Sequence, residues 1–241
     1  MSHILVCHYD PAGRSLRLAA QGTLTREAVI RALPWARQDV RELILTPGVT
    51  ALDTDVFSAW PALEQVTLPE GLECIGEGAF RNCPRLRKIT FPETLQSISG
   101  YAFADCPALE ELRLNAALEE LGLFAFSGCR ALREVRIPGG VKYLGDFAFS
   151  ECENLRQAVL EEGVEEVALC VFCGCAALVS VTLPDSLRRL ESSAFFRCEA
   201  LTEIRGSLRA LSAVREQLMA DPNWVPWRLQ DWAELPPEAY R

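Results

Sequence analysis

The sequence predicts an α/β repeat solenoid, a stack of 23-residue coils linked by short parallel strands and closed at each end by a non-repeating segment. Three columns of residues predict it. Phe57, Phe80, Phe103, Phe126, Phe149, Phe172 and Phe195 recur every 23 residues. Leu63, Leu86, Leu109, Leu132, Leu155, Leu178 and Leu201 keep the same step. So do Cys83, Cys106, Cys129, Cys152, Cys175 and Cys198, with Trp60 one period earlier. Columns that repeat independently, with no insertion between Val40 and Ile204, mark a single uninterrupted array.

Within one unit, from Leu86 to Cys106, the pattern is L-x-x-I-x-L/F-P-x-x-L-x-x-I-x-x-x-A-F-x-x-C. Its first part alternates apolar and polar residues just before Pro, which is a short half-buried strand. Its second part has a mixed period and fits a second short strand followed by a tight turn. One such coil is too small to bury both of its faces, so only stacking gives it a core. Strand centres are expected at Leu43, Val66, Ile89, Leu112, Val135, Ala158, Val181 and Ile204. At ~4.8 Å between strands the stack should be about 35–40 Å long.

The ends need covers, because an open coil exposes apolar edges and unpaired strand groups. Residues 1–39 are read as an N-terminal cap, 40–206 as the array, and 207–241 as a helical, Trp-rich C-terminal cap. In the first, Ile4–Tyr9 and Ser15–Ala20 flank Asp10-Pro11-Ala12-Gly13, a hairpin signature. Thr25 then N-caps a short helix that Pro34 stops. In the last, Leu208, Leu211, Val214 and Leu218 have helical spacing. Trp224, Trp227 and Trp232 follow and are expected to cover the last coil.

The repeating unit, with its Ala-Phe pair, its Cys and its Leu-Pro or Ile-Pro after the strand, resembles the BspA-type bacterial leucine-rich repeat over roughly residues 40–206. The leader Ser15-Leu16-Arg17-Leu18, Pro34-Trp35 and Val40 to Leu45 is similar to that found before such arrays. The resemblance implies a right-handed leucine-rich-repeat solenoid used in adhesion or protein–protein contact. Local departures are Thr46, Asn115 and Glu161 in place of Pro, and Ala158 in place of a larger strand aliphatic.

Charge and composition narrow the function. The net charge is −9. Acidity is concentrated in the array, where acids outnumber bases 24 to 14 between residues 49 and 205. That balance argues against a nucleic-acid backbone and against an anionic membrane surface, both of which need clustered Lys and Arg. No run of 18 apolar residues is present to span a bilayer. The first residues carry no basic segment and no small-residue cleavage site, so a cytoplasmic location is expected. A leader ahead of Met1 would make it surface-bound or secreted.

Candidate chemistry is sparse. The cysteine column is expected to hold free thiols, acting as small polarizable core residues. Cys170, Cys173 and Cys175 spell C-x-x-C-x-C and raise the possibility of zinc, but four converging ligands are required and no second pair or nearby His supplies them. His3 and His8 both precede the array, which leaves Ser/His and Cys/His arrangements without a base. Paired acids such as Glu119-Glu120 fit solvated coil edges better than acid–base catalysis. No cofactor is expected, and the chain is expected not to be an enzyme.

The strand face carries most information. Two outward columns flank the strand centres. One runs Glu42, Gln65, Lys88, Glu111, Glu134, Gln157, Ser180 and Glu203. The other runs Ile44, Thr67, Thr90, Arg113, Arg136, Val159, Thr182 and Arg205. Glu111, Arg113, Glu134 and Arg136 form a mixed-charge block at the centre and are the first candidate for a protein partner, the alternative being a lattice of mutually neutralised charges. The second candidate is Tyr101, Phe124 and Phe147, an aromatic stripe expected at the edge of the core. The function expected is a non-catalytic binding scaffold, most simply for protein–protein interaction. A cell-surface adhesin or glycan-binding module of the same fold, and a zinc- or thiol-dependent enzyme, are the alternatives.

Overall fold

A computed structural model of the chain describes residues 5–220. His3, Trp224, Trp227 and Trp232 lie outside the described residues. The 23-residue step becomes a parallel-strand solenoid of about eight turns. Each strand pairs with its equivalent one period on: Leu43 with Val66, Val66 with Ile89, Val135 with Ala158, Ala158 with Val181, and Val181 with Ile204.

The predicted hairpin forms from β1 (Val6–Asp10) and β2 (Ser15–Ala19), which pair antiparallel. Asp10 closes its turn by accepting the amides of Ala12 and Gly13. The hairpin is also part of the strand face, because Leu16 of β2 pairs in parallel with Leu43. Helix α1 (Arg26–Ala32) starts where Thr25 predicts, with the Thr25 hydroxyl accepting the amide of Ala28. A short helix, α2 (Ala36–Asp39), leads into the array. At the far end α3 (Leu208–Ala220) buries Ala210, Leu211 and Val214 and contacts the strand Arg189–Leu190. Among the described residues no helix is long and apolar enough to cross a membrane.

Three faces hold the coils together. The second short strands, from Gly22–Leu24 to Arg189–Leu190, form one eight-stranded sheet without a break. On the turn face the amides of Phe57, Phe80, Phe103 and Phe126 donate to the carbonyls of Ala79, Ala102, Ala125 and Ala148, each at 2.8 Å. The phenylalanine rings stack beneath, with centroids 5.1–5.8 Å apart from Phe57 to Phe195. The Leu, Phe and Cys columns are buried from coil to coil.

The strand face departs from expectation at one place. Glu111-Leu112-Arg113 is not a strand, so this sheet is split into five strands before it and four after it. Phase is kept, since Leu121 still pairs with Ile98 and Leu144 on the second face. Local preference accounts for the loss. The other seven predicted centres sit in strands holding at least one Val, Ile or Thr, as in Gln65–Thr67 and Glu134–Ile137, whereas Glu111-Leu112-Arg113 holds none. β-Branched residues favour the pleated conformation, and Glu, Leu and Arg do so less.

The central ring of the column should be the costliest to remove. Phe126 is fully buried and stacks on Phe103 and Phe149, so Phe126→Ala should cost about 3–5 kcal/mol in urea unfolding. Phe195 is 6% exposed and stacks on Phe172 alone among the column rings, so Phe195→Ala should cost less. Equal losses would mean that the last coil is as constrained as the middle.

Candidate functional site

The interrupted strand lies in the mixed-charge block. Glu111 and Arg113 come from the segment that fails to pair, and Glu134 and Arg136 from the strand Glu134–Ile137 beside it. All four are exposed, while the equivalent Ser180 two strands on is buried and Val159 and Thr182 are half-buried. A cavity of about 320 Å3 opens here, bordered by Arg113, Leu114, Glu134, Arg136, Gln157 and Val159. It also touches Leu112 and Val135, which are 7% and 2% exposed, so it reaches down toward the backbone level between the two coils. Leu114 is half-buried, where its equivalents Phe91 and Ile137 are buried.

The charges in the block pair unevenly. Arg136 turns to Glu161 of the neighbouring coil at 3.3 Å. Arg113 reaches Glu111 at 3.9 Å, with the two side chains 91% and 75% exposed. Among the described residues Glu134 has no ion-pair partner. By contrast, at the last strand Arg205 holds Glu203 with two hydrogen bonds of 2.6 and 2.7 Å. Asn115 ends the unpaired segment: its amide donates to the Pro92 carbonyl, and its Oδ1 is buried without a partner. Sequence reasoning placed the block but missed the cavity and its other walls, Leu114, Gln157 and Val159. The missing β-branched residue and the Asn115 departure were the signals that mark the gap.

The second candidate is a continuous ridge on the turn face. The rings of Tyr101, Phe124 and Phe147 stack at 4.9 and 4.6 Å, within 9° of parallel, and all three are half-buried. The Arg81 guanidinium caps the stack 5.2 Å above the Tyr101 ring. Tyr101, Phe124, Phe147 and Cys170 all have φ between 53° and 57°. That left-handed conformation is disfavoured for bulky residues. Asp55 and Gly78 occupy the same column earlier in the chain. Those small residues were the sequence sign of a left-handed position. Leu123 and Leu169, 46% and 44% exposed, flank the ridge.

The cysteines divide into two groups. Each column thiol contacts the carbonyl of a Phe 26 residues earlier: Cys83 to Phe57, Cys106 to Phe80, Cys129 to Phe103, Cys152 to Phe126, Cys175 to Phe149 and Cys198 to Phe172, at 3.1–3.3 Å. Burial pushes the thiol pKa values of Cys106, Cys129, Cys152 and Cys175 up, that of Cys129 to about 12, which keeps these thiols protonated at neutral pH. Cys7, Cys74, Cys170 and Cys173 are half-buried. Burial, and then the neighbouring Cys170 thiol, push Cys173 up to about 11. Cys175 is buried and donates to the Phe149 carbonyl, whereas Cys170 and Cys173 are half-buried. Among the described residues no group of three His, Cys, Asp or Glu side chains is placed to hold a metal ion.

The BspA type leucine rich repeat region is matched in six copies, over residues 50–177 and 142–216. Among solved structures, a leucine-rich repeat protein from Bacteroides ovatus is similar at 24% identity with a TM-score of 0.65, covering 85% of this chain and 52% of that one. The chain therefore spans about half the length of that protein. The T. pallidum leucine rich repeat protein is similar at 23% identity with a TM-score of 0.64, covering 88% of this chain and 92% of that one. At these identities the likeness is one of fold. Among curated proteins no relative matches the chain.

Two measurements follow. Thiol titration of the native protein should find at most the four half-buried cysteines, and all ten after denaturation without reductant; fewer than ten would reveal disulfides. Phe124→Ser should lower stability by about 1–3 kcal/mol, because a half-buried stacked ring is lost. Phe124→Gly should lose less, because glycine accepts φ of 53° freely. Thermal unfolding of the two variants would compare them, and an unchanged Phe124→Ser protein would show that the ridge contributes nothing to the fold.

Proposed function

The chain belongs to the BspA-type leucine-rich repeat family, and from that premise we propose that it is a non-catalytic scaffold that binds another protein through its strand face. The observation that supports this reading is the cavity at the mixed-charge block. It coincides with the one break in the strand face among the described residues, and the repeat dictates neither. Core packing fixes the inward columns and leaves the outward ones free to vary. Arg113, Glu134 and Arg136 border the cavity together with the apolar Leu114 and Val159, an arrangement of apolar centre and polar rim common at interfaces. The block is exposed, so its charges act on encounter and orientation more than on stability.

The stacked ridge of Tyr101, Phe124 and Phe147 is the competing face. It is half-buried and strained, and its rings already satisfy one another by stacking, which makes it the weaker candidate for a partner.

The double variant Arg113→Glu, Arg136→Glu tests the assignment. Capture of a protein partner from native lysate should fall by roughly tenfold or more if these arginines are anchors. Thermal unfolding should shift by no more than about 4 °C, because the one close ion pair lost, Arg136 with Glu161, is exposed. Capture that survives the reversal but is abolished in a folded Phe124→Ser protein would move the site to the ridge.

A further inference from the structure

The gap in the strand face leaves backbone groups without partners. Among the described residues, the amides of residues 111–115 and the carbonyls of 110–114 make no backbone hydrogen bond. The equivalent groups in the coil beyond lie in a regular ladder, with Glu134 to Ile137 paired residue by residue to Gln157 to Leu160. The edge of Glu134–Ile137 that faces the gap has no ladder partner, since that strand is the first of its sheet. Lys88–Thr90 is likewise the last strand of the other sheet. Backbone amides and carbonyls are strong bonding groups, and a ligand gains most where it satisfies those left unpaired.

We propose that the cavity takes an extended peptide segment of the partner, whose main chain lies along the gap and bonds to its unpaired backbone groups. This inference rests on the assignment of the strand face as the binding site and names the chemistry of what it binds. A peptide main chain presents alternating donors and acceptors at strand spacing, which is what an interrupted ladder lacks. The cavity volume of about 320 Å3 lies at the lower end of ligand pockets, enough for a short stretch of chain and its side chains. Charge selects the sequence. Glu134 lacks an ion-pair partner among the described residues and calls for a basic side chain. Arg113, held among the described residues only by the 3.9 Å approach to Glu111, calls for an acidic one. Leu114 and Val159 provide an apolar floor between them.

The probe is a phage-displayed library of random dodecapeptides, selected on the immobilised full chain. In the free protein, the amides of residues 111–115 should exchange with deuterium faster than those of Gln157–Leu160. Enriched peptides should protect residues 110–115 and 134–137. Methylating alternate backbone nitrogens of a synthetic peptide should weaken its binding by roughly tenfold or more, the effect of losing about two hydrogen bonds. Glu134→Gln should weaken a peptide with a basic residue several-fold without changing the melting temperature. The proposal falls if the amides of 111–115 are already as protected as those of the neighbouring strand. It falls too if no peptide is enriched, if protection appears elsewhere, or if backbone methylation has no effect. A concentration-dependent dimer that protects the same residues would assign the gap to a second copy of the chain and overturn the peptide. Should the double arginine reversal lower lysate capture while no peptide is enriched, the strand-face reading stands and the peptide inference alone fails. Should enriched peptides protect the gap while the reversal leaves capture intact, the peptide site stands and the natural partner binds elsewhere.

Discussion

Each of the first six column phenylalanines donates its amide to a carbonyl 22 residues on, and this bond sets the distance at which all else in the array must fit. It is repeated from Phe57 to Phe172 at 2.8–2.9 Å. Neighbouring bonds on the same face, such as Tyr101 to Leu123 and Asp105 to Ser127, fix each turn at two further points. With the coils so spaced, the rings beneath have little choice but to stack in parallel, and the cysteine three residues after each ring falls under the carbonyl of the ring before. A thiol suits that position because it is small enough for the core and still offers a weak donor to a buried acceptor. The column of cysteines thus belongs to the architecture, and burial in the core makes its thiols poor nucleophiles or metal ligands.

Because the turn face and the second sheet are continuous, the strand face is free to fail locally. The loss of pairing at Glu111-Leu112-Arg113 leaves the Phe103, Phe126 and Phe149 stack intact and the second sheet in register. In a single-sheet protein such a gap would threaten the fold. Here two other ladders hold the same coils, so the gap opens a cavity and leaves backbone groups there without backbone partners among the described residues. Strain on the turn face runs the other way. The left-handed backbone at Tyr101, Phe124 and Phe147 is tolerated because the surrounding bonds over-determine it, and ring stacking offsets part of its cost.

The candidate site was legible in part. Glu111, Arg113, Glu134 and Arg136 stand out in the sequence because outward columns vary while inward ones do not, and the variation there is all charge. Which charges pair was not legible. Strand alternation suggested that each acid would meet the guanidinium beside it, but Arg136 reaches across to Glu161, which leaves Glu134 without an ion-pair partner among the described residues. That choice depends on side-chain reach across a coil boundary, which spacing along the chain does not encode. The aromatic stripe was legible as a stripe, and its half-burial as an edge position. Its strained backbone was visible only indirectly, through Asp55 and Gly78 in the same column.

By itself the sequence determined the period, the inward Leu, Phe and Cys columns, the opening hairpin and the Thr25 helix start. Each of these follows from local spacing or from a turn and cap whose partners lie within a few residues. Only the tertiary structure decided that the predicted strand at Leu112 does not pair, that β2 joins the array as its first parallel strand, and that each column thiol meets a carbonyl 26 residues back. These depend on how closely one coil settles on the next. That distance is set by the stacked rings and bonds of the whole column, so no single repeat contains it.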